Sequence, residues 1–436
     1  MNKKTQCLVI GAGRIGLPIS VSLALAGHEV TILEKNPNRV KMINLGEAPF
    51  YEKGMSSGLK KMIIEGRLHA STDLNQICNK NVIVSAIGTG LNENGSPNLN
   101  SIDELVNLLS DNFPKGGLLI LKTTLPIGMT EIIANKLSHK TGFKLDEEIF
   151  VAFSPERIVE GKAMYELKKL PKIVGGIGPN STRIAKEFVS SLGGRVVEVS
   201  NARTAEMCKL LDNSYRMTRF GFAADVAAVA VENEINAYEA IKAANFDYPR
   251  NNIPLPSIGV SGYCLTKDPY YLDKAAPDVW KERGFASTWI TARKAADLQV
   301  DYAFNFIKDH FGDSLNKKSI LLAGITYKED VDDSRLSHGR ILLQKFLKEG
   351  CEISIWDPRT SEDYIEDIKI IRNNPPLDID CMIITVPHLE FIKWSNDKKY
   401  LDFKRNTLIF DGWGIIEDDG DGRIILSGTG RAANVN

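Results

Sequence analysis

The feature that most constrains this 436-residue chain is a glycine pattern set between a strand and a helix. Gly11-Ala12-Gly13-Arg14-Ile15-Gly16 follows the apolar run Cys7-Leu8-Val9-Ile10 and opens an apolar helical stretch, 15–26, closed by Gly27. The first glycine permits a tight turn, the second lets backbone approach a pyrophosphate, and the third lets helix and strand pack closely. The helix N-terminus adds unpaired N–H groups and a partial positive charge for the phosphates. A second apolar run, 30–33, ends at Glu34, close to the spacing of about 20 residues at which a carboxylate meets a ribose diol. That carboxylate repels a 2′-phosphate and favours NAD over NADP, although Lys35 beside it weakens the exclusion. Without this context the same glycines would read as a turn in any α/β unit.

The alternation continues. Short apolar runs at 7–10, 30–33, 82–86, 118–121, 150–153, 173–174 and 196–199 are separated by amphipathic stretches, which predicts a parallel, doubly wound sheet. From 202 to about 299 the texture becomes Ala-rich and helical, at 204–215, 220–234 and 237–244, broken by a Pro- and Gly-bearing loop at 248–263. Strands return at 319–323, 352–356, 381–385 and 408–410, with a helix at 337–349, and 287–311 forms a linking helix. The expected fold class is α/β: two Rossmann-like doubly wound domains, 1–200 and 301–436, joined by a central helical domain, 201–300.

Composition excludes several function classes. Lys+Arg is 54 and Asp+Glu is 55, so no basic excess points to nucleic acid. No apolar run approaches the ~18 residues of a membrane span, and the basic residues 1–6 precede a strand instead of a signal peptide's apolar region. The six cysteines are scattered, so neither a metal cluster nor a disulfide framework is expected, and a cytoplasmic protein with reduced thiols is. The acidic run 417–421 lacks calcium-loop spacing and reads as a solvated turn.

Three segments carry candidate chemistry. Gly259-Val260-Ser261-Gly262-Tyr263-Cys264 places a cysteine after a glycine-bearing loop, with Asp268 four residues on. A cysteine opening a helix gains thiolate character and nucleophilicity, whereas a lone cysteine is more often a small buried hydrophobe. Lys209 and Asn213 lie four apart on a predicted helix and could present a cation and an amide to an oxyanion, or form an ordinary solvated face. Glu156 and Glu160 follow the C-terminal end of the 150–153 strand, where doubly wound sheets bind ligands; a salt-bridged surface loop is the alternative.

Together with Glu93-Asn94-Gly95-Ser96-Pro97, Thr123-Thr124-Leu125-Pro126-Ile127-Gly128, Ser154-Pro155-Glu156-Arg157 and Asp332-Asp333-Ser334-Arg335, these segments resemble the UDP-glucose/GDP-mannose dehydrogenase family over nearly the whole chain. The resemblance implies a four-electron oxidation of a nucleotide sugar's C6 alcohol to the acid. Cys264 matches the family's nucleophile, Lys209 and Asn213 its oxyanion stabilisers, Asp268 and Thr124 its water and proton handlers, and Glu156 a base for thioester hydrolysis. Gly11, Gly13, Arg14, Ile15, Gly16, Glu34, Thr89 and Thr124 would line the NAD site. Glu160, Lys209, Asn213, Arg250, Gly262, Lys328 and Arg335 would bind the UDP-sugar, with Arg250 reaching a neighbouring subunit of a homodimer or larger assembly. No metal is implied. The segments 202–210 and 262–272 look most like the branch acting on UDP-N-acetylhexosamines (UDP-ManNAc or UDP-GlcNAc), ahead of UDP-glucose and GDP-mannose. A two-electron hydroxy-acid dehydrogenase needs neither Cys264 nor a second α/β domain, and a non-catalytic nucleotide-sugar sensor needs none of the catalytic set.

Four segments depart from the family pattern. Ser261 stands where a glycine is usual, with backbone strain expected if that position requires φ > 0. Asp225 falls in a segment that commonly reads Ala-Asn-Glu-Leu, at the dimer core or pocket floor. Leu336-Ser337-His338 replaces Glu-Ser-Pro, and Trp413 replaces a basic residue.

Overall fold

Strands form where four or five apolar residues can bury alternate side chains on opposite faces. Cys7, Val9, Val30, Ile32, Val84 and Ile120 pack with Leu17, Ile19, Val21 and Leu23 of the helix Gly16–Leu25. Leu8, Ile10, Ile83, Leu119, Leu121, Val151 and Phe153 pack on the other face, with the helices Asn100–Ser110 and Met129–Thr141. The computed structural model describes residues 5–312, 314–417 and 423–432. Residues 1–4 of the basic N-terminus and 418–421 of the acidic run lie outside them.

The chain divides into two compact units, Met1–Asp212 with Tyr270–Pro277 and Asn213–Pro269 with Asp278–Asn436. In the first, six strands lie in the spatial order Leu68–Ser71, Glu29–Leu33, Gln6–Ile10, Val82–Ser85, Leu118–Leu121 and Phe150–Phe153, all parallel. Numbered along the chain, this is the 3-2-1-4-5-6 order of a dinucleotide-binding sheet. Lys172–Gly176 continues it antiparallel to Phe150–Phe153, and Val196–Glu198 adds an edge strand. The second unit repeats the order with Ile368–Ile371, Glu352–Trp356, Ser319–Ala323, Cys381–Ile384, Leu408–Asp411 and Ile425–Gly428. Two Rossmann-like parallel sheets joined by a helical central region are thus the fold.

The central region differs from the sequence reading in one respect. The two expected helices at 204–215 and 220–234 are a single 31-residue helix, Ala202–Glu232. Arg216-Met217-Thr218-Arg219 breaks the Ala-rich texture without breaking the backbone, because Met217 is fully buried and continues the apolar face. Gly221 on this helix meets the helix Thr288–His310 so closely that a Cβ there would lie 2.3 Å from Ala292 Cβ.

Candidate active site

The glycine turn in the first unit has the geometry its sequence demands. Gly11 has φ +95°, and a Cβ on Gly16 would lie 1.9 Å from the Gly11 carbonyl oxygen. A Cβ on Gly13 would meet nothing within 4 Å, so that face is open for a pyrophosphate. Glu34 is buried; one carboxylate oxygen accepts the Ala12 N–H at 2.9 Å and the other the Asn36 N–H at 2.9 Å. The acid is thereby fixed beside the glycine loop with lone pairs to spare for ribose hydroxyls. These residues fit NAD.

Around the loop, Arg14 forms an ion pair with Glu160 and lies over the Phe50 ring, 4.9 Å from its centroid. The sequence reading assigns Arg14 to cofactor and Glu160 to sugar; the structure pairs them directly. Thr89 Oγ1 donates to the Thr124 carbonyl at 2.9 Å and Thr123 Oγ1 to the Ile87 carbonyl at 2.7 Å. These bonds tie the segment after Val82–Ser85 to the segment after Leu118–Leu121.

Glu156 is buried, with one oxygen 3.3 Å from the buried Lys122 Nζ and the other accepting the Arg157 N–H at 2.9 Å. Lys209 Nζ donates to the Glu156 backbone carbonyl at 2.7 Å. Lys172 donates to the Leu167, Leu170 and Gly193 carbonyls; burial lowers its pKa, with the charge of Lys122 adding to the effect and Glu156 opposing it. Two ammonium groups thus hold Glu156 from different sides, one at its carboxylate and one at its backbone. The helix Met129–Thr141 has no capping side chain of its own. Glu206, on the same helix as Lys209, supplies it by accepting the Gly128 and Thr130 N–H groups, and burial raises the Glu206 pKa.

In the second unit Cys264 is exposed and lies in a turn, since the helix Asp268–Lys274 begins one turn later than expected. The Asp268 N–H still donates to the Cys264 carbonyl at 2.9 Å, which keeps the two residues in helical register. Asp268 is fully buried: Asn213 Nδ2 donates to one oxygen at 2.6 Å and Lys267 Nζ to the other at 2.7 Å. Gly262 has φ +92°, and a Cβ there would lie 2.6 Å from the Tyr327 ring. Ser261 has no positive φ, so the expected strain is not found; the left-handed positions of this loop are Gly259 and Gly262.

Lys328 follows Tyr327 and is half-buried, while Arg335 extends outward with its guanidinium gripped by both oxygens of Asp333 at 2.9 and 2.6 Å. Arg250 is exposed, donates to the Tyr248 hydroxyl at 2.8 Å and stacks over that ring. Asp225 is exposed on the helix Ala202–Glu232 of the single chain. Trp413 donates its indole N–H to the Thr385 carbonyl at 2.7 Å, a packing role. The sequence reading missed Lys122 and Lys267. Lys122 follows directly on an apolar strand, at the end where ligands bind, and Lys267 adjoins Asp268; both positions were visible, but their burial was not.

Residues 5–192 match the NAD binding domain of the UDP-glucose/GDP-mannose dehydrogenase family, 203–293 its central domain and 321–418 its UDP binding domain. The chain belongs to that family. It is an NAD-dependent nucleotide-sugar dehydrogenase. A UDP-N-acetyl-D-mannosamine dehydrogenase from Pyrococcus horikoshii is 30% identical over 430 residues, covering 97% of this chain and 98% of the relative. One from Campylobacter jejuni is 31% identical, covering 91% and 99%. The solved UDP-D-ManNAc dehydrogenase of P. horikoshii superposes with a TM-score of 0.86 at 28% identity, covering 98% of this chain and 99% of that one. Among the described residues no helix is long and apolar enough to cross a membrane.

Proposed function

We propose that this enzyme oxidises the C6 hydroxyl of UDP-N-acetyl-D-mannosamine to the carboxylic acid in two successive oxidations. Bound NAD⁺ supplies the hydride acceptor for each. The observation that carries the four-electron reading is an exposed thiol, Cys264, one turn before a buried Asp268 held by Asn213 and Lys267. An alcohol-to-aldehyde oxidation has no use for a nucleophile, whereas an aldehyde gives up hydride readily only after a nucleophile has added to it.

In this reading Asp268 and Thr124 order the water that takes the C6 hydroxyl proton. The Cys264 thiolate then adds to the aldehyde carbon, and the carbonyl oxygen becomes an alkoxide. Lys209 and Asn213 stabilise that charge, each such donor being worth roughly 10²–10³ in rate. Loss of hydride leaves a thioester. Glu156 takes a proton from water, hydroxide attacks the thioester carbon, the C–S bond breaks, and the thiolate is regenerated. Lys122 keeps a counter-charge on Glu156 throughout. Lys328 and Arg335 bind the diphosphate, and Arg335 must exchange part of its Asp333 contact to do so.

The sugar assignment rests on the relatives named above. A second copy of the chain completes the site in this reading: Tyr215, Phe222 and Val229, spaced by seven on the helix Ala202–Glu232, form an exposed apolar stripe, and the loop 246–250 that carries Arg250 is exposed as well. The enzyme works in the cytoplasm, where its nucleotide substrates are.

Turnover across a substrate panel tests the assignment. kcat/KM for UDP-ManNAc should exceed that for UDP-glucose, UDP-GlcNAc, UDP-GalNAc and GDP-mannose by at least about tenfold, the value of one or two contacts that read the acetamido group and its configuration at C2. A higher kcat/KM for UDP-glucose would overturn the sugar assignment.

A further inference from the structure

Two of the departures from the family pattern meet in space. The His338 backbone N–H donates to Ser261 Oγ at 3.0 Å. His338 is the first residue of the helix His338–Lys348, so its N–H is one of the four that no carbonyl of the helix can satisfy. The N-cap Ser337 accepts the Arg340 N–H, which leaves the His338 donor to Ser261. The loop before the nucleophile therefore completes the cap of this helix.

The same loop is held at neighbouring points. Arg293, buried on the helix Thr288–His310, donates to the Val260 carbonyl at 2.7 Å. Gly259 passes so close over the His338 imidazole that a Cβ would lie 2.7 Å from Cε1, and Gly262 passes as closely over Tyr327. Burial, with the nearby charge of Arg293, pushes the His338 pKa down to about 3, so the ring stays neutral. Three residues beyond Ser261 stands Cys264. The segment 327–335, just before His338, carries Lys328 and Arg335.

We propose that Ser261 and His338 form a positioning clasp that sets the Cys264 loop in register with the helix His338–Lys348 and the nucleotide anchors before it. The proposal rests on the reading of Cys264 as the nucleophile. Attack on a carbonyl tolerates little misplacement, about 1 Å being enough to lose 10²-fold. The clasp acts on a loop that is also tied by Arg293 at the Val260 carbonyl, by the Gly262 N–H at the Leu336 carbonyl (3.5 Å) and by the close passages of Gly259 and Gly262. Neither residue touches the reacting atoms; both act through the position of the thiol.

A double-mutant cycle tests this. Ser261→Ala leaves the buried His338 N–H without its acceptor and should lower kcat for acid formation on the order of tenfold, the weight of about 1.4 kcal/mol, while KM for UDP-ManNAc stays within about twofold. His338→Pro removes the donor, and proline suits the first position of a helix. In that background Ser261→Ala should cost nothing further. An unchanged kcat in Ser261→Ala, or an equal loss in both backgrounds, would overturn the clasp. If His338→Pro does not fold, Ser261→Thr decides: it keeps the hydroxyl and should restore kcat, and failure to restore it counts against the proposal. The rate of Cys264 alkylation by iodoacetamide, read at that residue by mass spectrometry, should rise in Ser261→Ala and return in Ser261→Thr. If alkylation responds in this way but the unmodified enzyme forms no acid, the clasp stands and the role of Cys264 falls.

Discussion

Cys264→Ala is expected to abolish acid formation while leaving the fold intact. The side chain is exposed, so its truncation should change stability by no more than about 0.5 kcal/mol. Without the thiol no thiohemiacetal forms, and the second oxidation would need hydride to leave a bare aldehyde or its hydrate. Acid formation should fall by at least about 10³-fold, the scale lost when a covalent nucleophile is removed. The first oxidation uses none of the sulfur's chemistry, so NADH release should persist for one equivalent, with aldehyde as the product trapped by a hydrazine. Retention of acid formation within tenfold would show that another group, or water alone, attacks the aldehyde. A loss of both oxidations together, with unchanged unfolding, would mean that the cysteine acts before the aldehyde exists.

The second large effect concerns the buried charges beside it. Asp268 is fully buried and Lys267 nearly so, with Nζ and Oδ1 2.7 Å apart. Asp268→Asn keeps the shape and removes the charge, which takes the carboxylate partner from a nearly buried Lys267 ammonium. Breaking one side of such a pair costs about 3–5 kcal/mol, so the variant should unfold at markedly lower urea. Adding Lys267→Met removes the other buried charge and should recover most of that loss. Activity should not recover, because Asp268 also accepts the Asn213 amide and, in the proposed mechanism, handles the proton of the first oxidation; the double variant should stay about 10²-fold down in kcat. Stability and activity moving together in the double variant would reduce Asp268 to a structural residue. An Asp268→Asn protein as stable as the parent would show that the ion pair contributes nothing in the folded state.

Much of the fold was legible because its rules are local. Alternating burial in runs such as Leu118-Leu119-Ile120-Leu121 marks a strand covered on both faces, and the glycine turn marks where the sheet begins. Leu68–Ser71 escaped notice because His69 is exposed and only Leu68 and Ala70 point inward, too little apolar surface to signal a strand. The long helix Ala202–Glu232 was read as two, since four residues of polar texture look like a break until Met217 is seen to be buried. At the site, residues whose chemistry is rare in their context stood out: a cysteine after glycines, a carboxylate after a strand. Lys122 and Lys267 did not, because a buried lysine differs from a surface one only through the carboxylate it meets, and Lys122 meets Glu156 from 34 positions away along the chain. The Ser261–His338 contact was hidden for the same reason. Each residue alone looked like drift from the family pattern; only their 3.0 Å approach shows them as one feature.

In the proposed mechanism one active site carries a nucleotide sugar through two oxidations on a covalent sulfur intermediate. The most direct test of that mechanism is the ratio of NADH formed to UDP-ManNAc consumed by the purified, unmodified enzyme, with the product identified by mass spectrometry. Two NADH per sugar and a uronic acid are expected. One NADH per sugar with an aldehyde or ketone as the final product would contradict the mechanism and leave Cys264 without the role assigned to it.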